Sequence, residues 1–411
     1  MGARDLAESL YRAALAAADG RQRTVEWLRR HPMEGPVWAV AVGKAAAAMA
    51  EGAREALGSR LRRGLLVTKH GHLGPDASAY APFECYQTGH PVPDAASLAA
   101  GRRLLECVAE APPAVHWLFL VSGGASSLVE ALPAGHILQD LQDAQQWLLG
   151  SGLAIAEMNR VRKGLSLLKG GRLAARLTGQ SVTALMLSDV PGDDPSVIGS
   201  GLLAAAAGDR DLSGLALPEW LRKRLEGMPA APVPDHPALA RVRHHVIASL
   251  GDACRGAVQR ARELGLDAVC HRTRLAGDAA AAGHRLGALA RQASPGVQVW
   301  GGETTVVLPA APGRGGRCQQ LALAASLELQ GIPDTCLLAA GTDGTDGPTE
   351  DAGAIVDGDT VERGRRSGMS VESCLERADA GSFLAASGDL LHTGPTGTNV
   401  NDLVLAVKAP G

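Results

Sequence analysis

The sequence predicts a protein of the α/β class, in which strands and helices alternate along the chain. Short apolar runs such as "VWAVAVG" (37–43), "VHWLFLVSGG" (115–124) and "VTALMLSDV" (182–190) are separated by longer helical patterns. Runs that are apolar throughout and end in Gly or Asp favour parallel strands buried on both faces, with helices as crossover connections. Ligands of such folds bind at the carboxyl ends of the strands.

Length and composition indicate two domains of this class. A chain of 411 residues exceeds the usual size of one domain, and its 46% of hydrophobic residues is enough for a sizeable core. The strongest linker candidate is the proline-rich stretch "MPAAPVPDHP" (228–237), after which the alternation of strands and helices resumes. We therefore predict two α/β domains, residues 1–235 and 236–411.

Charge and cysteine usage exclude several classes of protein. The formal net charge of −3 provides no basic field for nucleic acid. Seven scattered cysteines without a C-x-x-C pair argue against a disulfide framework or a zinc site and favour a reducing compartment. The charged N-terminus is unlike a signal peptide, and no run approaches the ~20 apolar residues that cross a membrane. We expect a cytoplasmic protein without nucleic-acid or membrane partners; its oligomeric state stays open, with a homodimer as one expectation.

The first strand end carries a lysine. Lys44 follows "VWAVAVG" at a turn into a helical pattern, and a helix N-terminus attracts anions. The Walker A spacing and the G-x-G-x-x-G fingerprint are both absent from the chain. Lys44 is therefore either an anion-binding residue or a solvated lysine that begins a helix.

A second polar turn follows the run that ends at Val121. In "LVSGGASSLVE" (120–130), glycines allow close backbone approach, and N–H groups with serine hydroxyls can bind the oxygens of an anion. A serine-capped turn is the alternative. The candidate ligand-binding residues here are Ser122, Gly123, Gly124 and Ser126.

Two further motifs in the first half combine cations and carboxylates. The basic stretch "EMNRVRKGLSLLKGGRLA" (157–174) forms either a solvated helix face or a set of phosphate clamps, with Asn159, Arg162 and Lys169 as candidates. The loop "LSDVPGDDPSVIGSG" (187–201) places Asp189 directly after a strand. Clustered carboxylates in a rigid loop suit Mg²⁺ or hydroxyl groups.

The second half repeats this arrangement. Glu303 and Arg317 lie in "GGETTVVLPAAPGRGGRCQQ", and Asn399 lies in "TGPTGTNVND". Asp343 and Asp346 belong to "GTDGTDGPTEDAG" (341–353), whose spacing differs from that of an EF-hand loop. Cationic and anionic loops that recur at strand ends provide what phosphoryl transfer requires, namely cations for phosphate oxygens and carboxylates for Mg²⁺.

Three histidines also lie in loops. His70 and His72 form a His-x-His pair, and His90 lies in "TGHPVPD". The pair hints at a metal, but no third ligand is identifiable. A histidine that contacts substrate or closes a turn is the expected role.

These motifs resemble those of the glycerate 2-kinases, whose relatives often carry the label hydroxypyruvate reductase and whose C-terminal half is termed the MOFRL region. The matching stretches run in the family's order from about residue 40 to residue 405. They are "GKAAAAMA", "TGHPVPDAAS", "VSGGASSL", "GSGLAIAEMNRVRKGLSLLKGGRLA", "LSDVPGDDPSVIGSG", "GGETTV", "GRGGRCQQLALA", "GTDGTDGPTEDAGA" and "TGPTGTNVNDL".

The resemblance implies two α/β domains around a deep cleft, the first Rossmann-like with a mainly parallel sheet and the second the MOFRL region. It implies ATP-dependent phosphorylation of D-glycerate at the 2-hydroxyl, giving 2-phosphoglycerate, with Mg²⁺. Lys44 and Arg317 are then expected to stabilise charge in the transition state, with Asp189 orienting or deprotonating the hydroxyl.

The resemblance also implies ligand-binding roles for other residues. Asp189, Asp343 and Asp346 are the expected metal ligands. The nucleotide or substrate is expected to contact Ser122, Gly123, Gly124, Ser126, Asn159, Arg162, Lys169, Glu303 and Asn399.

The chain departs from the family pattern at three positions. Leu202 stands where the family has proline after Ser-Gly, and Cys318 and Gln320 stand where it has Asn and Glu after "GGR". Leu202 and Cys318 support one alternative, a non-catalytic relative that binds a sugar acid or nucleotide. The older family label leaves a second, a hydroxypyruvate reductase, against which the missing dinucleotide fingerprint counts.

Overall fold

The alternation predicted from the sequence is present in the computed structural model, which describes residues 2–74, 76–177, 179–209 and 211–409. Its helices are α1 Ala3–Ala17, α2 Gly20–Arg30, α3 Ala46–Leu57, α4 Ala95–Glu110, α5 Ala125–Leu128, α6 Leu138–Gly150, α7 Ile155–Gly164, α8 Arg172–Arg176, α9 Glu219–Leu225, α10 Leu250–Glu263, α11 Ala279–Gln292, α12 Arg317–Leu329, α13 Thr360–Arg366, α14 Val371–Glu376 and α15 Ala380–Ser387. Its strands are β1 Val37–Val42, β2 Leu61–Lys69, β3 Phe83–Thr88, β4 His116–Val121, β5 Val182–Ser188, β6 Val242–Ser249, β7 Ala268–Cys270, β8 Gly296–Gly302, β9 Thr335–Gly341, β10 Gly353–Asp357, β11 Leu390–Leu391 and β12 Asp402–Lys408.

The first sheet has the strand order β3-β2-β1-β4-β5-β6, and the strands β1 to β5 pair in parallel. The apolar runs of β4 and β5 are buried because helices cover both faces of a parallel sheet. The chain order reverses between β1 and β4, and ligands bind at such reversal points in open α/β sheets. The prediction of a Rossmann-like, mainly parallel first sheet is confirmed.

The second sheet has the order β11-β10-β9-β12-β8-β7 and is mixed. The last strand, β12, lies between β8 and β9 and is antiparallel to both, whereas β7 and β8 are parallel. This differs from the parallel strands that the apolar runs predict. Strand β12 is almost wholly buried, as a central parallel strand would be, so burial alone carries no information about strand direction.

Each sheet has its own core. Leucine, valine and alanine dominate both cores, in keeping with an aromatic content of 3%. Trp117 and Phe119 are fully buried in the core of the first sheet, and Phe383 is fully buried in that of the second. Each sheet therefore has its own hydrophobic core, as expected of two α/β domains, and a further cluster packs among α6, α7 and α9.

The chain divides into two compact units, Gly20–Ile247 (the first unit) and the residues before Gly20 together with those from Ala248 onwards (the second unit). The boundaries of these units differ from the predicted domain boundary at residue 235. The domain boundary itself stays a prediction. Strand β6 is the edge strand of the first sheet. Helix α1 belongs to the second unit, where Tyr11 Oη donates to the carbonyl of Gly341 at 2.6 Å. In the described part of the chain, no helix combines the length and apolar character needed to span a bilayer.

Candidate active site

In the first unit, three predicted site segments lie at one edge of the first sheet. Val42 at the end of β1 is level with Val121 at the end of β4, and Val121 is level with Met186 near the end of β5. Lys44, the turn that begins at Ser122, and Asp189 each follow one of these neighbouring strands. The strand order thus brings together residues that are up to 145 positions apart.

The turns after β1 and β4 are joined by hydrogen bonds. The backbone N–H of Lys44 donates to the carbonyl of Gly123 at 2.9 Å, and the hydroxyl of Ser122 accepts from the N–H of Ala45 at 3.1 Å. Gly43 has a φ of +131°, and a Cβ there would lie 2.1 Å from the Ser122 hydroxyl oxygen. Ser122 and Gly123 therefore fix the position of the Lys44 turn.

A cavity of about 250 Å³ adjoins this edge. Gly124, Ser126 and Ser127 form one wall, and the loop residue His90 lies beside them. Gly124 has a φ of +86°, and a Cβ there would lie 3.0 Å from the imidazole Cδ2 of His90 and 3.3 Å from Cγ of Lys44. Gly124 is therefore flanked by a histidine and a lysine that were both singled out in the sequence.

The cations of the basic stretch 157–174 differ in their partners. Lys169 lines the cavity, but its ammonium pairs with the fully buried carboxylate of Glu130. Lys163 pairs with Asp209 at 2.8 Å and is likewise buried. Arg162 also lines the cavity, and burial lowers the pKa of its guanidinium. The stretch is therefore neither a solvated face throughout nor a uniform set of phosphate clamps.

Asn159 and Ser126 hold neighbouring groups in place. The amide oxygen of Asn159 accepts from Nη1 of Arg162 at 3.1 Å. The hydroxyl oxygen of Ser126 lies 2.8 Å from that of Ser200, which follows β5. These bonds connect α7 and the loops after β4 and β5 to the cavity wall.

The two histidines of the His-x-His pair contact different parts of the chain. His70 Nε2 lies 2.8 Å from a carboxylate oxygen of Asp94, and His72 Nδ1 lies 3.3 Å from the carbonyl oxygen of Lys44. The two side chains thus have separate partners, and the contact of His72 with the Lys44 turn agrees with the expected role of closing a turn.

In the second unit, the other predicted residues meet at one edge of the second sheet. Asp402, the first residue of β12, is level with Gly302 at the end of β8 and with Gly341 at the end of β9. Glu303 and Asp343 follow these two strands directly or within two residues. The central antiparallel strand therefore adds a carboxylate to the two that the neighbouring strand ends provide.

Arg317 begins α12 and is held by two carboxylates. Its Nε and Nη2 bind the two oxygens of Asp402 at 2.6 and 2.9 Å, and its Nη1 binds Glu303 at 2.5 Å. Burial acts to lower the pKa of the guanidinium, but the two carboxylates outweigh it, so that the pKa is raised. Because Asp402 is 5% exposed, removal of Arg317 would leave a buried charge without its partner.

Asp343 and Asp346 have different environments. One oxygen of Asp343 accepts from the N–H of Thr345 at 3.0 Å, as in an Asx turn. The two oxygens of Asp346 accept from the N–H groups of Cys318 and Gln319 at 3.1 and 2.8 Å, at the positive end of α12. The "GTDGTDG" motif thus combines a turn with a helix cap.

The chemistry of these carboxylates bears on Mg²⁺, which prefers hard oxygen ligands and often uses only one or two carboxylates beside phosphate oxygens and water. Asp343 fits such a role through its donor type. Each oxygen of Asp346 already accepts one N–H group of α12, which leaves fewer of its lone pairs for a cation. Among the residues that the structure describes, no three His, Cys, Asp or Glu side chains are gathered as a metal site.

Asn399 lies in the loop before β12 and is 6% exposed. Its neighbours fasten this loop: the Thr398 hydroxyl donates to the carbonyl of Ala18 at 2.7 Å, and the N–H of Val400 donates to the Thr342 hydroxyl at 2.8 Å. Asn399 is therefore held on the same side of the second sheet as the loop after β9.

Known proteins are similar to this chain in both sequence and fold. Residues 6–213 match the family described as "Domain of unknown function (DUF4147)", and residues 296–402 match the MOFRL family. A D-glycerate 2-kinase from Thermotoga maritima is 41% identical, covering 90% of this chain and 89% of its own, and a glycerate 2-kinase from Pyrococcus horikoshii is 34% identical, covering 97% and 93%. The chain belongs to the glycerate 2-kinase family. The crystal structure of the Thermotoga maritima glycerate kinase matches with a TM-score of 0.83 and 38% identity, over 98% of this chain and 99% of that one.

Three side chains that depart from the pattern of the glycerate 2-kinase family are buried. Leu202 packs in the core of the first sheet. Cys318 is 2% exposed in the first turn of α12, and Gln320 donates to the carbonyl of Leu375 at 2.8 Å. These departures from the glycerate 2-kinase pattern therefore alter packing around α12 and beneath the loop after β5.

Three residues at these sites were not predicted from the sequence. Glu130 and Asp402 are the carboxylate partners of predicted cations, and Gln145 contacts Arg162 from α6. Asp402 had a local signal, since it directly precedes the apolar run of β12. Glu130 and Gln145 had none, because their partners lie 39 and 17 residues away.

The helix cap at Asp346 gives a prediction for pH dependence. Burial and the charge of Asp402 raise the pKa of Asp346 to about 7. The helix N–H groups and Arg317 act in the opposite direction but are outweighed. Because this folded-state pKa lies above the ordinary 3.8, the protonated form of Asp346 stabilises the folded protein. That contribution is fully present below about pH 4 and is lost as pH rises through about 7.

We therefore expect the free energy of unfolding to fall from pH 4 to pH 8 more steeply in the parent protein than in Asp346→Asn, by up to about 4 kcal/mol. Urea unfolding at several pH values measures both slopes. Parallel profiles for the two proteins would contradict the raised pKa.

Proposed function

We propose that this protein transfers the γ-phosphoryl group of ATP to the 2-hydroxyl of D-glycerate, giving 2-phosphoglycerate and ADP. The observation that carries the proposal is the meeting of Lys44, the Ser122–Gly124 turn and Asp189 at the adjacent carboxyl ends of β1, β4 and β5. This is the ligand-binding edge of an open parallel sheet, at its reversal point. The names of the relatives from Thermotoga maritima and Pyrococcus horikoshii support the same reaction.

In the first unit, we assign the reacting groups to the sheet edge. Asp189 accepts the proton of the 2-hydroxyl while the oxygen of that hydroxyl forms a bond to the γ-phosphorus. The bond from that phosphorus to the bridging oxygen breaks, and ADP departs with the electron pair. Lys44 stabilises negative charge on the phosphoryl oxygens, and Gly124 and Ser126 contribute backbone and hydroxyl groups that bind them.

In the second unit, we assign Arg317 to the charge of the phosphate groups. Its fixed position between Glu303 and Asp402 limits rearrangement during the reaction, which is what electrostatic stabilisation requires. We assign Asn399 to contact with the nucleotide. The loop that holds Asn399 is fastened to both β9 and the end of α1, which supports a fixed binding surface.

Mg²⁺, when bound, would neutralise charge on the phosphates; we propose Asp189 as a protein ligand in the first unit, and Asp343 stays a candidate ligand in the second. Asp346 caps α12 through both oxygens and stays a predicted metal ligand. The seven free cysteines support a reducing, cytoplasmic location. A homodimer stays a prediction.

The test is an assay with D-glycerate, ATP and MgCl₂ in which ADP release is followed together with the product. We expect ADP to form only when glycerate is present. Enolase should consume the product directly, because its substrate is 2-phosphoglycerate; a requirement for phosphoglycerate mutase would show transfer to the 3-hydroxyl instead. Asp189→Asn should abolish turnover while leaving the unfolding transition near that of the parent.

Two other outcomes correspond to the alternatives. Oxidation of NADH with hydroxypyruvate, without ADP formation from glycerate and ATP, would overturn the kinase assignment in favour of a reductase. A thermal shift with ATP and glycerate in the absence of turnover would favour a binding protein.

A further inference from the structure

The basic stretch on α7 contains one cation whose partners are all neutral. Nε of Arg162 donates to the amide oxygen of Gln145 at 2.9 Å, and Nη1 donates to that of Asn159 at 3.1 Å. Among the residues that the structure describes, no carboxylate pairs with this guanidinium. Burial accordingly lowers the pKa of Arg162 with no opposing contribution from a negative charge.

The two buried lysines nearby are compensated, whereas Arg172 bonds to backbone carbonyls and lines a different cavity. Lys169, on the same cavity, is paired with Glu130, and Lys163, one residue beyond Arg162, is paired with Asp209. A partly buried charge without a counter-ion is unfavourable, and such a group favours the arrival of an anion. Arg162 therefore differs from these two lysines in having no carboxylate partner among the described residues, and it lines the small cavity.

The form of the cavity limits which anion fits. Its volume of about 250 Å³ is smaller than the range of about 300–1,000 Å³ that is usual for drug-sized ligands, so it suits a small acid better than a nucleotide. Gly124, Ser126 and Ser127 provide hydroxyl and backbone groups on a neighbouring wall. A short hydroxy acid would find a cation for its carboxylate and polar groups for its hydroxyls.

We propose that Arg162 recognises the carboxylate of the phosphoryl acceptor and thereby selects hydroxy acids over polyols. Its guanidinium carries five N–H donors in a planar fork, and the bonds to Gln145 and Asn159 engage two of them. The edge formed by Nη1 and Nη2 matches the two oxygens of a carboxylate. Gln145 and Asn159 are positioning residues, because they hold the plane of the fork. This inference rests on the proposed kinase function and adds the residue that determines its acceptor class.

The test compares Arg162→Met and Arg162→Lys with Arg160→Met as a matched control. Arg160 lies on the same helix, but its guanidinium binds the carbonyl of Asp211 at 2.8 Å and lies near Glu157. We expect Arg162→Met to raise KM for D-glycerate about 100-fold and Arg162→Lys about tenfold, because lysine cannot form the bidentate pair.

The readouts separate recognition from general damage. KM for ATP should stay unchanged in the Arg162 variants, and the preference for glycerate over glycerol should fall in Arg162→Met but not in Arg160→Met. Gln145→Leu, a positioning variant, should raise KM for glycerate with little change in kcat. An Arg162→Met enzyme whose KM for glycerate and preference over glycerol match those of the parent would overturn the proposal.

Calorimetric titration with D-glycerate in the absence of ATP distinguishes this inference from the proposed function. Binding that is lost in Arg162→Met, in a protein that phosphorylates no hydroxy acid, would support the carboxylate site and refute the kinase. Normal phosphorylation with unchanged glycerate affinity in Arg162→Met would support the kinase and refute the carboxylate site. Absence of both binding and turnover in the parent protein would refute both.

Discussion

Replacing Lys169 by methionine is expected to lower the free energy of unfolding by about 3–5 kcal/mol, because it leaves the Glu130 carboxylate buried without its ion-pair partner. Lys169 is 3% exposed and Glu130 is fully buried, and Glu130 also accepts from the N–H of Ala131 at 2.8 Å. Urea unfolding followed by circular dichroism measures the loss.

The ion pair has both an internal and an external control. The double variant Glu130→Gln, Lys169→Met should recover much of the loss, since it removes both charges. The exposed pair between Lys223 and Glu219 on α9 has an N–O distance of 2.8 Å. Because this pair is solvated, Lys223→Met should cause no measurable change in the free energy of unfolding. A Lys169→Met protein as stable as the parent would show that the pair contributes nothing to stability.

Replacing Lys44 by methionine is expected to lower kcat about 100- to 1,000-fold with little effect on stability, because it removes a charge proposed to act on the phosphoryl oxygens. The turn should persist, since it is held by backbone and Ser122 contacts that do not involve the Lys44 ammonium. Methionine also retains much of the aliphatic stem that lies beside Gly124.

The measurement is steady-state turnover with saturating D-glycerate and ATP, accompanied by thermal unfolding. Lys223→Met serves again as the control for loss of a lysine from the first unit. If Lys44→Met keeps most of the parent's turnover, the assignment of Lys44 to the transition state is wrong. If it instead loses stability, the lysine has a structural role as well.

Much of the local architecture could be predicted from the sequence, because it depends on short-range patterns. Apolar runs gave the strands β1, β4 and β5, and the polar turns after them contain Lys44, Ser122 and Asp189 as expected. Glycine has a positive φ where these turns require it, at Gly43 and Gly124. Each of these features is encoded within about ten residues of chain, so that one segment carries enough information.

The partners of the charged residues could not be predicted in the same way. Arg317 is paired with Asp402, which lies 85 residues further along the chain, and Lys169 is paired with Glu130. The sequence left the basic stretch as either a solvated helix face or a set of phosphate clamps. The tertiary structure distinguishes these cations: Lys169 is paired with a carboxylate, whereas the partners that the structure describes for Arg162 are neutral. Both arrangements depend on how distant segments pack.

The sequence by itself determined the α/β class, the strand-end position of the site loops and the family. Only the tertiary structure decided the direction of β12, the inclusion of α1 in the second unit, and which cation meets the small cavity without a counter-charge. The physical reason is that backbone preferences and hydrophobic periodicity act along the chain, whereas strand order, ion pairing and burial of charge are settled between segments that are distant in sequence.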